Sequence, residues 1–293
     1  MSWASKLSEP YRIDHGKDFR LKDFDPASTG HFRSKEQAQG LLEQGISEMR
    51  EQQDKLFAQR NWAVLIVLQA MDAAGKDGLV KHVMAGVNPQ GCQVYSFKQP
   101  SEEELNHDFM WRSNTKLPAR GQIGIFNRSY YEEVLIVRVH PEILKKERIP
   151  EELLGKDLWK KRFEDIENVE NYLTHNGVVI RKFFLHLSKK EQKRRFLERL
   201  ENSEKNWKYS AADVREREYW DDYMNAYEEM IAATSTKNAP WFVVPADNKW
   251  YTRLVVAAAI VETLKDLKLE YPKLTPEERK QLEAAKRELL RKK

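Results

Sequence analysis

Five short hydrophobic runs punctuate an otherwise polar chain: WAVLIVLQ (62–69), CQVYSF (92–97), QIGIF (122–126), VVIRKFFLHL (178–187) and PWFVVPA (240–246). Four of them are β-branched or aromatic and nearly continuous in hydrophobicity, the pattern of strands covered on both faces. Between and after them, helical patterns lie near 76–88, 101–116, 129–143, 157–175, 189–202, 211–234 and 248–268. A helix is also predicted over 35–60, where Leu42, Ile46 and Met49 form one stripe among Glu, Gln, Arg and Lys. Residues 1–34 read as irregular, with turn signals at DFDPASTG. The end of the chain, TPEERKQLEAAKRELLRKK, reads as a charged helix with a Thr-Pro-Glu-Glu start. Strands alternating with helices imply a parallel, doubly wound sheet. No Pro/Gly/Ser linker splits the chain. The expectation is one α/β domain: an N-terminal arm and helix (1–60), a core (61–270) with a basic excursion at 189–217, and a charged helical tail (271–293).

Composition narrows the function classes. The 293 residues are 41% hydrophobic and 33% charged, and no uncharged apolar run is long enough to span a bilayer. The first 25 residues have no apolar signal core and carry acids, which predicts a cytoplasmic protein with no membrane attachment. One cysteine, Cys92, excludes an intrachain disulfide and a cysteine-based zinc site. Net charge is +4, too balanced to announce a nucleic-acid binder. The basic residues are nevertheless clustered: 189–217 holds ten Lys/Arg against six Asp/Glu. Such a run is either a solvated helix face or a cationic surface with work to do. The histidines show no i, i+4 pair and no HExxH pattern, so histidine-based metal ligation is not expected.

The first hydrophobic run ends in Ala70-Met71-Asp72-Ala73-Ala74-Gly75-Lys76-Asp77-Gly78 and leads into a helical pattern. A strand, a glycine-lysine turn and a helix together hold phosphate: backbone N–H groups of the turn face the anion and the helix dipole adds to them. The general pattern is G-x-x-x-x-G-K-[ST]. Here Ala70 replaces the first glycine and Asp77 the hydroxyl residue that normally ligates Mg²⁺. Asp72 and Asp77 are the replacements the chemistry suggests, since hard oxygen ligands suit that ion. For Asp77, capping of the following helix is an equal reading. A second candidate is IGIFNRSYYEE (123–133), a buried strand delivering polar residues to the carboxyl edge of the sheet. Asn127 stands where an Asp commonly helps hold Mg²⁺. Arg128 suits a phosphate in transfer, or is a surface arginine after a strand. Ser129 reads as the cap of a helix containing Tyr130, Tyr131, Glu132 and Glu133. A third is the basic excursion, where Arg194, Arg195 and Arg199 precede Lys205 and Lys208; Arg195 and Arg199 share a face at i, i+4. A mobile basic lid of this kind closes over phosphates in small P-loop kinases.

Taken together, DAAGKDG, IFNRSYYEEVLIVRVHPE, FFLHLSKKEQKRRFLERL, WKYSAADVREREYWDDYMNAYEEM and APWFVVPADNKWYTRL resemble the family-2 polyphosphate kinases, in that family's order and from about residue 10 to 268. The resemblance implies a thymidylate-kinase-like P-loop fold of three layers, with a five-stranded parallel sheet, a helical lid and a helical N-terminal arm. It implies reversible, Mg²⁺-dependent phosphoryl transfer (Mn²⁺ being the substitute ion) from inorganic polyphosphate to nucleotides. The FNRSYYEEV form resembles the class III subgroup, which acts on both AMP and ADP. By motif position Asp72 organises the metal, and Asp77, Glu132 or Glu133 is the candidate to supply the contact that Asn127 lacks. Lys76 holds the transferred phosphate among the groups of 73–78, and Arg128 stabilises the charge in transfer. Arg194, Arg195, Arg199, Lys205 and Lys208 form the lid over polyphosphate, and Asn127, Tyr130, Glu132 and Glu133 support the nucleotide side. Many members carry Asp where this chain has Asn127. Family members are often dimers or tetramers, so a homo-oligomer is expected. The rival readings are an ATP-dependent nucleoside monophosphate kinase on the same fold and a non-catalytic polyanion binder.

Overall fold

A computed structural model describes residues 2–208 and 210–291 of the chain; the side chain of Lys208 lies outside the described residues. Six strands form one sheet: β1 (Arg12–Ile13), β2 (Ala63–Gln69), β3 (Cys92–Ser96), β4 (Ile123–Asn127), β5 (Val178–His186) and β6 (Trp241–Pro245). Their order is β1-β6-β5-β2-β4-β3. The five strands expected from the hydrophobic runs are parallel throughout, and β1 adds an antiparallel pair to the β6 edge. β2 lies at the centre, with Val64 opposite Ile123 on one side and Val179 on the other.

The period-2 geometry of β2 explains the three layers. Val64, Ile66 and Leu68 face one apolar cluster, built with the helices Trp3–Ser8, Lys35–Gln59 and Lys249–Asp266. Leu65 and Val67 face the other, built with Leu158–His175 and Trp220–Thr234. The helix Lys249–Asp266 is buried all round from Leu254 to Val261, because the sheet lies on one side and two helices on the other. Its alanines 257–259 permit that approach. In Lys35–Gln59 the buried stripe is Ala38, Gly45, Met49, Gln53 and Leu56, whereas Leu42 and Ile46 are only half-buried. A Cβ on Gly45 would come within 2.9 Å of the Trp3 ring.

Several expectations are corrected. β3 is an edge strand with Val94 half exposed, not a strand covered on both faces. The region 101–116 breaks into Glu102–Leu105 and Trp111–Asn114, because the Asp108 carboxylate takes the Met110 N–H and begins a new turn. The region 129–143 becomes a 3₁₀ turn, Tyr130–Val134, followed by Ile136–Val139. The first 34 residues are not irregular throughout. They contain the Trp3–Ser8 helix and β1, fastened by Ser2 Oγ to Glu262 (2.6 Å), Trp3 Nε1 to Glu48 (3.2 Å) and a Tyr11–Tyr251 hydroxyl pair (2.9 Å). Among the described residues no helix is long and apolar enough to cross a membrane.

Candidate active site

The carboxyl ends of β2 and β4 lie side by side, and the polar residues that follow them meet there. After β2 the chain turns through Asp72–Gly75 into the helix Lys76–Val83. The turn uses the left-handed region twice, at Ala73 (φ 64°) and Gly75 (φ 104°). Gly75 suits that conformation; Ala73 is strained by it. Lys76 is buried, and its Nζ donates to the carbonyl of Ala70 across the loop (2.8 Å). Burial, then the nearby Arg128, push its pKa down to about 8 against the attraction of Asp72, Glu132 and Asp77.

After β4, Arg128 also takes a left-handed conformation (φ 65°), with its N–H still bonded to Leu68 of β2 (3.0 Å). Its guanidinium donates to Asp72 (2.7 Å) and lies 3.6 Å from Glu132. Those two carboxylates, Glu132 first, hold Arg128 in its charged form. The Asn127 amide donates to Asp77 (2.7 Å), so the residue at the end of β4 grips the first turn of the loop helix. The 3₁₀ turn gives its two glutamates different partners, though both border the same cleft. Glu132 accepts from the buried Gln69 amide (2.9 Å). Glu133 lies between Arg112 (3.6 Å) and Arg162 (3.5 Å), and burial beside Glu147 pushes its carboxyl upward against those guanidiniums. Tyr130 does not face a ligand surface: its hydroxyl donates to Glu170 in the core (2.9 Å), and Tyr131 does the same (2.8 Å).

Two clefts meet at these residues. One, of about 630 Å³, lies over the glycine-lysine loop and is lined by residues 72–79 with Asn127, Arg128, Arg199, Lys205, Lys249 and Arg253. The other, of about 1020 Å³, is more apolar, with Phe109, Ile136, Val137 and Ile149 beside Arg112, Arg148 and Arg162. Phe97, Lys98, Gln99 and Arg128 border both. A strand-turn-helix loop under a cationic cleft, joined at an arginine to a half-apolar one, is the layout of a phosphotransferase with a polyanion on one side and an organic substrate on the other.

The family model for polyphosphate kinase 2 matches residues 32–272. The chain belongs to the polyphosphate kinase 2 family. It is therefore an enzyme, a polyphosphate kinase that moves phosphoryl groups between polyphosphate and nucleotides. It is 51% identical over 285 residues to an ADP-polyphosphate phosphotransferase of Rhodopseudomonas palustris, covering 97% of this chain and 99% of that protein. It is 43% identical over 266 residues to an AMP/ADP-polyphosphate phosphotransferase of Meiothermus ruber, covering 89% and 94%. The crystal structure of polyphosphate kinase 2 from Arthrobacter aurescens TC1 matches with a TM-score of 0.88 at 40% identity, covering all of this chain and 99% of that one. The P-loop kinase fold and the family resemblance are thus shown.

The basic excursion of the kinase divides in three. Arg199 and Lys205 line the loop cleft, Arg199 lying 3.9 Å from Asp213 and Lys205 bonded to Glu198. Arg194 points outward, exposed and paired with Glu191 (2.7 Å) and Glu198 (3.5 Å). Arg195 is buried, donates to backbone carbonyls of the loop and borders the same cleft. Of the other predicted residues, Gly78 faces Arg253: a Cβ there would lie 4.0 Å from its guanidinium. The sequence reading missed Lys249 and Arg253, which enter the cleft from the helix after β6. The signal was available, because a helix that follows a parallel strand starts at the ligand edge of the sheet. Burial lowers the pKa of both, with Arg195 contributing at Lys249. Asp213 was missed too; burial, then the proximity of Asp72, raise its pKa.

Among the described residues no group of three or more His, Cys, Asp or Glu is gathered to hold a metal. The donor set nevertheless fits Mg²⁺. One or two carboxylates plus substrate phosphates are its usual protein ligands, and Asp72 and Asp77 flank the loop where those phosphates would lie.

Proposed function

We propose that the kinase phosphorylates both AMP and ADP from inorganic polyphosphate, reversibly and with Mg²⁺. The observation that carries this reading is the meeting of the two clefts at Arg128. Polyphosphate lies in the cationic cleft, its terminal unit against the N–H groups of 73 and 75–78 and the ammonium of Lys76. Arg199, Lys205, Lys249 and Arg253 follow the chain outward. The nucleotide lies in the larger cleft, its base among Phe109, Ile136, Val137 and Ile149, its phosphates toward Arg128. Asp72 and Asp77 would hold Mg²⁺, which neutralises negative charge on phosphate oxygens when bound.

A nucleotide phosphate is already ionised at neutral pH, so no strong general base is required. Its oxygen attacks the terminal phosphorus in line, while the bond from that phosphorus to the bridging oxygen breaks and polyphosphate leaves one unit shorter. Negative charge spreads over the equatorial oxygens, and Lys76, Arg128 and the loop N–H groups bind that charge better than they bind the ground state. Glu132 and Gln69 keep the guanidinium of Arg128 at the junction. The larger cleft, of about 1020 Å³, has room for an acceptor with one phosphate or two, which supports the dual specificity. The deciding experiment is a time course of AMP, ADP and ATP with Mg²⁺ and polyphosphate as sole donor. ADP should rise and then give way to ATP. Transfer to ADP alone would restrict the acceptor, and transfer only when ATP is supplied would make the protein an ordinary nucleotide kinase.

A further inference from the structure

The loop beneath the proposed polyphosphate site has three successive carbonyls pinned from one helix, Lys189–Glu201. The Gln192 amide donates to the carbonyl of Asp72 (2.9 Å). Arg195 Nη1 donates to the carbonyls of Ala73 (3.0 Å) and Ala74 (2.9 Å). The other donors of Arg195 are committed as well: Nη2 to the carbonyls of Ala246 (2.6 Å) and Asp247 (2.9 Å), Nε to Glu191 (2.8 Å). Gln192 and Arg195 are 1% and 3% exposed. A guanidinium is buried this deeply only when its donors are occupied, and here four of its five bonds go to backbone carbonyls and the fifth to Glu191.

A trans peptide carries its N–H opposite its C=O. Fixing the carbonyls of 72 and 74 toward that helix therefore sets the N–H groups of 73 and 75 on the opposite side of the loop, where an anion-binding nest needs them, while the Ala74 N–H closes the turn onto the carbonyl of Met71 (3.3 Å). The left-handed Ala73, unfavourable for an L-residue, is held at the middle of this array. The array extends one step further. Arg217 donates to the amide oxygen of Gln192 (2.6 Å) and to the carbonyl of Lys189 (3.2 Å), so the far end of the basic excursion touches the residue that orients the loop.

We propose that Gln192 and Arg195 are positioning residues for phosphoryl transfer, aiming the loop N–H groups at the transferred phosphate, and that Arg217 ties this aim to the far end of the basic excursion. Gln192 does not line the cleft, and Arg195, which borders it, has every donor group committed to protein partners, so each acts through the loop backbone. The inference rests on the polyphosphate kinase reading of the site.

The test compares Gln192→Met, Arg195→Lys and Arg217→Met in the full chain. Three quantities are measured: kcat and KM with polyphosphate and ADP, the Kd of tripolyphosphate by calorimetry, and the thermal midpoint. Gln192→Met keeps length and apolar packing while removing the amide. Misaimed groups at a reacting centre lose on the order of 10²-fold in rate. That fall is expected in kcat for Gln192→Met, with about 10-fold weaker tripolyphosphate binding and an unchanged KM for ADP, whose cleft lies beyond Arg128. Arg217→Met should move kcat the same way by less. Arg195→Lys keeps the charge but cannot reach both backbone segments, so its kcat should fall as far. If Arg195→Lys does not fold, Gln192→Met decides. A folded Gln192→Met with wild-type kcat and tripolyphosphate affinity overturns the proposal. So does a loss of activity that merely follows the thermal midpoint across the variants. A wild-type protein that uses no polyphosphate would sink the functional reading instead, and the calorimetric arm would still report on the loop.

Discussion

Asn127 is the residue at which this chain departs from the pattern its family resemblance suggests, and the structure gives the departure a partner. Its amide donates to Asp77, so one carboxylate is held by a neutral donor where two carboxylates would repel. Asn127→Asp should therefore lose this hydrogen bond and gain a like-charge neighbour. A fall in stability of about 1 kcal/mol is expected without Mg²⁺, small because Asp77 is solvent-exposed. Adding Mg²⁺ should restore it and lower the Mg²⁺ concentration needed for half-maximal activity. Thermal midpoints with and without the ion, and a Mg²⁺ titration of turnover, check both; an unaltered Mg²⁺ requirement would remove Asn127 from the metal's surroundings. Arg128→Ala should reduce turnover by more than about 10²-fold, the loss expected for a group that stabilises transferring charge. Single-turnover rates at saturating substrate measure it, and a variant within a few-fold of wild type would contradict the role. These residues were legible in the sequence because a buried strand ending in Gly-Lys or Asn-Arg announces where its side chains emerge. Arg195 was not. A basic run does not say which of its cations turns inward, and only Phe196 marks the buried side of that helix beside Gln192 and Arg195.

The elements show the same division. Strands β2, β4, β5 and β6 were legible because continuous apolar runs leave few alternatives, whereas the helical patterns at 101–116 and 129–143 broke where local hydrogen bonding or tertiary packing outweighed periodicity. The 3₁₀ turn Tyr130–Val134 is the telling case. Tyr130 and Tyr131 both donate to Glu170, and the fully buried Lys182 donates to Glu170 (2.6 Å), Tyr131 (3.0 Å) and the carbonyl of Thr234 (2.7 Å). This network fixes the turn from below, so that Glu132 meets Arg128 while Glu133 meets Arg112 and Arg162. Burial lowers the Lys182 pKa while Glu170 opposes the shift. Lys182→Met would leave Glu170 buried without its cation, at a cost of about 3–5 kcal/mol. Lys182→Met combined with Glu170→Gln should recover much of that loss, because neither charge is then stranded. Urea denaturation of the three variants gives the coupling, and a double variant as unstable as the sum of the two singles would show that the ion pair is not what holds the turn.

Across the whole molecule, the N-terminal arm crosses the sheet at the end that carries the active site. The Asp247 N–H donates to the carbonyl of Pro26 (3.0 Å), Asn248 donates to that of Ala27 (3.0 Å), and Leu21 is held by Glu228 (2.7 Å). The arm could not be placed from sequence, since a two-residue strand has no measurable period and its fastenings are long-range. His186, at the end of β5, lies close to this crossing. Burial pushes its pKa down to about 4 despite Asp247, the Phe24 backbone and Asp25, which favour its charged form. The unfolded chain takes up that proton near pH 6.5 and the folded chain only near 4. Between those values the unfolded state binds more protons, so stability must fall as the pH falls, by on the order of 3 kcal/mol across the window from this residue alone. His186→Gln removes the titration while retaining a polar side chain. Its stability, measured by urea denaturation at pH 7, 5.5 and 4.5, should decline less steeply than that of the wild type, with the difference opening below pH 6.5. Parallel slopes for the two proteins would mean that His186 is protonated in the folded chain and that the crossing of the arm over β5 and β6 does not exclude charge.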